Sequence, residues 1–205
     1  MDPSDRVLLI FIKNPELGKV KTRLAKDVGP AKALEIYNDL LEHTRNITVA
    51  TNAHRILFYS SHIDLQDQWP SDIFEKRLQV QGDLGEKMVH AFQTGFQKAK
   101  KVVIIGSDCP QLSTNEIEKA FTTLDQKDVV IGPALDGGYY LLGMKSLQVN
   151  LFQGIPWSTE KVADLTLEKV LDSGKTCHLL KPLSDIDYLE DWQTFGSIGK
   201  DQINN

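Results

Sequence analysis

The chain has 205 residues, a formal net charge of −5, 41% hydrophobic residues and 25% charged residues. That length suits a single α/β domain (1–205) with a full core, and the apolar content is ordinary for a soluble globular protein. The acidic balance argues against a nucleic-acid binder, yet leaves room for a local basic site that holds a phosphorylated small molecule.

The start, Met1–Asp2–Pro3–Ser4–Asp5, lacks the cationic and apolar regions of a signal peptide, and no apolar run is long enough to span a bilayer. A cytoplasmic location without a membrane span is therefore expected. Arg6–Ile12 reads as a buried strand. It ends in a loop, 13–24, that gathers Lys13, Lys19, Lys21 and Arg23 in an otherwise acidic protein, with Pro15 and Gly18 shaping a turn. A strand, then a basic loop with a glycine, then a helix suits phosphate, because loop amides and cationic side chains converge on the anion. A solvated surface loop would have the same composition.

Pro30 to about Asn46 reads as a helix with Leu34, Tyr37 and Leu41 on one stripe, and 56–61 as the next strand. Trp69–Pro70 lies in a polar connection, followed by a weaker strand at 78–81. Leu84, Met88, Ala91, Phe92, Gly95 and Phe96 then repeat as the core face of a helix, entered through Gln81–Gly82–Asp83, with Asp83 offering its oxygen as a cap.

Lys101–Ile105 reads as a central strand buried on both faces. Gly106 lets the chain leave the sheet and Pro110 stops it from continuing. Asp108 then stands at the carboxyl end of that strand, the edge where open α/β sheets bind ligands. It can be a helix cap, a turn former or a metal ligand. Its neighbour Cys109 has no adjacent histidine and reads as a buried structural residue. With Cys177 it makes only two cysteines, too few for a disulfide framework, which fits a reducing compartment.

Ser113 and Glu116 are spaced as a capping box, with Ile117, Ala120, Phe121 and Leu124 facing the core. A strand at 128–133 leads to Asp136–Gly137–Gly138–Tyr139, either a hairpin turn or a place where backbone approaches a ligand. Pro156–Thr159 precedes a helix through Leu171 that Gly174 ends. A last strand, 176–183, runs into Asp185–Ile186–Asp187, whose alternation points both carboxylates to one side. The polar end, 196–205, is expected to fray. The five histidines show no metal spacing, and no serine-hydrolase elbow occurs.

Alternating strands and helices imply a mostly parallel, helix-covered sheet. Asp108, Asp185 and Asp187 at strand ends suit a hard cation, Mg²⁺ or Mn²⁺, that shares its shell with water and substrate phosphates.

The string 11–24 (FIKNPELGKVKTRL) resembles the opening signature of a family of bacterial proteins with the GT-A, nucleotide-diphospho-sugar transferase fold, described as glycosyltransferases. The strings GDLG (82–85), GSDCP (106–110), DGGY (136–139), WST (157–159) and DID (185–187) follow in that family's order. The resemblance implies a Rossmann-like three-layer sandwich with a nucleotide over the carboxyl edge of its sheet and a divalent metal at Asp108. Many GT-A enzymes carry Asp-x-Asp, whereas Gly106 leaves one carboxylate here. That single-Asp form is similar to the guanylyl- and molybdopterin-type nucleotidyltransferases of the same fold. The expected function is metal-dependent sugar transfer from a nucleotide-diphospho-sugar, with nucleotidyl transfer as the alternative and a non-catalytic nucleotide-binding module behind both. Lys13, Lys21 and Arg23 would bind phosphates with Gly18 allowing close approach, and Gln81 and Gly82 would contact base or ribose. Asp108, with Asp187 and Asp185, would hold the metal, and Asp136 would activate or orient the acceptor.

Overall fold

The computed structural model describes residues 5–196, so nearly all of the tail expected to fray lies outside the described residues. Seven strands form one sheet: β1 (Arg6–Ile12), β2 (His54–Tyr59), β3 (Phe74–Leu78), β4 (Lys101–Ile105), β5 (Val129–Pro133), β6 (Tyr139–Met144) and β7 (Cys177–Leu179). Their order is β3-β2-β1-β4-β6-β5-β7. Neighbours run parallel except β6, which is antiparallel to both β4 and β5.

Helices α1 (Ala25–Val28), α2 (Pro30–Val49), α3 (Leu84–Phe96), α4 (Thr114–Thr123), α5 (Val162–Asp172) and α6 (Leu189–Phe195) complete the chain. Alternation along the central strands sorts the core into two layers. Leu8, Ile10, Val103 and Ile105 pack with Tyr37 and Leu41 of α2 and Phe121 of α4. Val7, Leu9, Val102 and Ile104 pack on the other face with Met88 and Phe92 of α3 and Val170 of α5. The expected three-layer, mostly parallel α/β sandwich is present. Each fully buried ring, such as Phe92 or Phe121, stabilises it by about 1.5–3 kcal/mol.

Several boundaries differ from the sequence reading. Helix α2 runs on to Val49 and is buried along two stripes: Tyr37 and Leu41 face the sheet, while Ile36 and Leu40 meet Leu24, Ile186 and α6. Strand β3 lies at 74–78 instead of 78–81, because Phe74 is the residue that reaches the core, edge-on to Trp69 at 4.9 Å between centroids. Its Lys76 is also held, at 2.6 Å from Asp67, so charge in this strand serves as packing. Strand β7 stops at Leu179 rather than Leu183, since Pro182 cannot donate to a ladder. Beyond it, Leu180 N–H donates to the Ile131 carbonyl at 2.8 Å and an isolated bridge joins Ala134 to Leu183.

The cap at α3 follows the sequence, whereas the capping box expected at α4 is only half formed. Asp83 and Glu86 form a full capping box at α3. At α4 Ser113 caps Glu116 N–H, while the Glu116 carboxylate turns to the Ser113 hydroxyl and, at 3.1 Å, to Lys181. Cys109 is buried and its thiol is pushed up by desolvation, as suits a structural residue. Among the described residues, no helix is long and apolar enough to cross a membrane.

Candidate active site

The parallel strands bring their carboxyl ends to one edge, and β6, running the other way, brings its beginning there. A cleft of about 670 Å³ opens at this edge. Lys13 after β1, Lys21 and Arg23 further along that loop, Asp108 after β4, Asp136 in the β5–β6 turn, and Asp185 and Asp187 after β7 all line it. Seven residues from four segments of the chain thus share one cavity. Gly18, Gln81 and Gly82 are exposed nearby on the turns after β1 and β3 but do not line it.

The basic loop is fixed by Tyr37 of α2. Its hydroxyl accepts from Lys13 N–H at 2.8 Å, donates to Lys13 carbonyl at 3.0 Å, and lies 3.3 Å from Ser107 Oγ. One phenol therefore ties the loop after β1 to the loop after β4. Burial, then the charge of Asp108, push the Tyr37 pKa far up, so the group stays a neutral bridge.

Further along, Lys21 takes a left-handed backbone conformation (φ +46°), and its carbonyl accepts from Ala25 N–H at 2.8 Å at the start of α1. Its side chain is 4% exposed and turns inward. Lys21 Nζ lies 3.0 Å from Asp108 Oδ1 and 3.6 Å from Asp187 Oδ1. Arg23 Nη1 binds the other oxygen of Asp187 at 2.9 Å, with its guanidinium over the Tyr188 ring at 5.8 Å. Lys19 is drawn outward to Glu16.

The acidic wall is held as firmly. Ile186 N–H donates to Asp108 carbonyl at 3.0 Å, so the segments after β4 and β7 are joined beside the carboxylates. Ile186 itself is fully buried, which places Asp185 and Asp187 on the opposite side, as the alternation predicts. Desolvation first, then the charges of Asp108 and Asp136, raise Asp185 to about 7, against a lowering influence from Lys21. Asp136 accepts from Gly138 N–H at 2.9 Å, so this carboxylate also shapes its own turn.

That turn leans on the opposite wall. Gly137 has φ +88°, and a β-carbon there would lie 2.0 Å from the Glu160 carbonyl oxygen. Its own carbonyl accepts from Ala163 N–H at 2.9 Å. Tyr139, Trp157 and Leu84 make this side apolar. The sequence reading assigns no role in a site to Tyr37, Tyr139, Trp157 or Tyr188, since an aromatic beside a strand or helix looks the same whether it packs or lines a cleft.

Oxygen donors crowded at like charge suit Mg²⁺ or Mn²⁺, and the Lys21 ammonium already marks a position where positive charge is held between Asp108 and Asp187. Among the described residues no three side chains close on one point as a finished metal shell. The donor set fits a cation that takes one or two carboxylates and completes its shell with water and phosphate oxygens.

The fold aligns with a crystal structure from Desulfovibrio desulfuricans G20 provisionally described as a nucleotide-diphospho-sugar transferase. The TM-score is 0.86 with 33% identity, over 95% of this chain and 88% of that one. The inositol-1-phosphate CTP transferase of T. maritima shares the fold at TM-score 0.65 and 11% identity, over 100% of this chain and 99% of that one. So does Rv0371c from Mycobacterium tuberculosis H37Rv in complex with manganese, at 0.55 and 13%, over 93% and 97%. No curated protein matches the sequence. A bacterial family described as "Uncharacterized protein conserved in bacteria (DUF2064)" matches residues 43–159, more than half of the chain, and to that family, in a nucleotide-diphospho-sugar transferase fold, the protein belongs.

Proposed function

We propose that the protein is a metal-dependent transferase that takes a sugar from a nucleotide-diphospho-sugar and passes it to an acceptor. The observation that carries this reading is the meeting of a cationic loop and a carboxylate wall across one cleft, Lys21 and Arg23 against Asp108 and Asp187. A diphosphate needs both: cationic side chains for its outer oxygens and a hard cation between phosphate and carboxylate. The Desulfovibrio protein, described as acting on such donors, supports it at 33% identity over nearly the whole chain.

In this reading Lys13, Lys21 and Arg23 hold the phosphates, and the turn at Gly18 lets the loop close on them. Gln81 and Gly82, on the turn before α3, meet base or ribose. Asp108, with Asp187 and Asp185, would hold Mg²⁺ or Mn²⁺, which supplies positive charge to the departing diphosphate. Asp136 orients the acceptor hydroxyl and takes its proton as the sugar carbon is attacked. Bond formation to that carbon and release of a nucleoside diphosphate balance the step.

Nucleotidyl transfer is the second reading, favoured by one feature: the lone Asp108 after Gly106 in a fold shared with CTP transferases. The two differ in the leaving group. Incubation with Mn²⁺ and pooled nucleotide-sugars, or with pooled nucleoside triphosphates, over cell extract as acceptor source separates them. Nucleoside diphosphate from the sugars supports glycosyl transfer, whereas pyrophosphate from the triphosphates alone overturns it.

A further inference from the structure

Lys21 stands beside the place that a metal held by Asp108 would take. Its ammonium is 3.0 Å from Asp108 Oδ1 and 3.6 Å from Asp187 Oδ1, on a side chain only 4% exposed. Arg23, half exposed, covers the remaining Asp187 oxygen. Asp136 and Asp185 face this point as well, and Lys13, Lys19 and Glu160 also line the cleft. A dication on either oxygen of Asp108 would lie close to an ammonium of like sign, at a distance where the repulsion in a half-buried cleft is large. The repulsion favours one charge leaving when the other arrives.

From this geometry we propose that Lys21 is an exchangeable counter-ion: it holds the carboxylate wall together until a divalent cation takes Asp108, and is then released to the phosphates. The inference rests on the reading of the cleft as a metal-assisted diphosphate site, and adds an order of events to it. The exchange asks only one side chain to move. Lys21 sits at φ +46°, anchored through its carbonyl to Ala25, so the backbone stays while the long side chain turns. Lys13 and Arg23 flank the space into which the ammonium would move, and Lys19, paired with Glu16, does not compete for it. Cation and donor binding are then coupled, because each cation bound frees one positive charge for the donor.

Calorimetric titration of Mn²⁺ into nucleotide-free protein tests this on wild type and Lys21→Met, a substitution of similar length without charge. The variant is expected to bind Mn²⁺ at least about tenfold more tightly, the effect of removing one charge-assisted competitor. It should also lose most of the gain in nucleoside-diphosphate affinity that Mn²⁺ gives the wild type. Equal or weaker Mn²⁺ binding by the variant overturns the exchange while leaving the metal-assisted site intact. No Mn²⁺ binding by either protein overturns both. Should Lys21→Met fail to fold, the wild type answers alone: the rate at which an amine-reactive label modifies Lys21, followed by mass spectrometry, should rise several-fold on saturation with Mg²⁺. An unchanged rate overturns the proposal.

Discussion

Single side chains in the cleft have two duties, and well-chosen substitutions separate them. Asp136 both lines the cleft and accepts from Gly138 N–H. Asp136→Asn keeps an oxygen in the same place, so the turn survives and the unfolding free energy should stay within about 0.5 kcal/mol of wild type. Sugar transfer should fall by about a hundredfold or more if the carboxylate takes the acceptor proton. Full activity in that variant would reduce Asp136 to a turn former. Arg23 poses a different question, since it already has Asp187 at 2.9 Å and a side chain 52% exposed. Charge-assisted contacts contribute about 1.5–3 kcal/mol when desolvated, and exposure puts Arg23 at the lower end. Arg23→Ala should therefore weaken nucleoside-diphosphate binding by about tenfold and the matching nucleoside hardly at all. Equal weakening of both by calorimetry would mean that the loop acts through shape alone.

At the scale of elements, the cleft walls brace each other. Gly137→Ala puts a β-carbon against the Glu160 carbonyl in a left-handed backbone, and overpacking with that conformational cost should destabilise by about 2–4 kcal/mol in urea denaturation. An unchanged midpoint would show that the wall at 158–161 yields freely. Edge strand β3 carries a second test. Burial would raise the Glu75 carboxyl, but hydrogen bonds from His54, Arg77 and Lys98 outweigh it and hold the pKa at about 2, below the ordinary 4.5. A depressed folded pKa means stability that is fully present above pH 4.5 and lost as the pH falls towards 2. Glu75→Gln should flatten the acid limb of a stability-against-pH curve in that window; a limb of unchanged slope would place the acid sensitivity elsewhere. The same strand shows where sequence reasoning stops. Phe-Glu-Lys-Arg-Leu has no alternating apolar face; burial of Phe74 and the pairing of Lys76 with Asp67 fit it beside β2. By contrast Asp108, Asp136, Asp185 and Asp187 were legible as a group, because each follows or precedes a readable strand and such ends collect at one edge. Tyr37 was legible only as core, since the helical spacing that buries it says nothing of the loop its hydroxyl holds.

For the whole molecule, stability should be graded outward from the middle of the sheet. Strands β1 and β4 lie side by side at its centre with nearly every side chain buried, whereas β7 has three residues and α6 buries none fully. Amide hydrogen exchange should be slowest in β1 and β4 and fastest in β7 and α6. Equal protection of β7 and β4 would show instead that the joined segments around Ile186 are as firm as the core. The strand order itself was beyond the sequence, which marks strands but not neighbours; only Asp-Gly-Gly hinted that β5 and β6 are a hairpin. That hairpin sets the two halves of the cleft under different rules of inheritance. The cationic loop opens the long crossover from β1 to β2, whose handedness and length the sheet constrains. Asp136 rides on a short reversal between adjacent strands, tied to its neighbours through Gly137 and Leu135 but free of any crossover whose length the sheet fixes. On the proposed reading, a lineage built on this plan can change what receives the transferred group while keeping, almost untouched, its means of holding what is given.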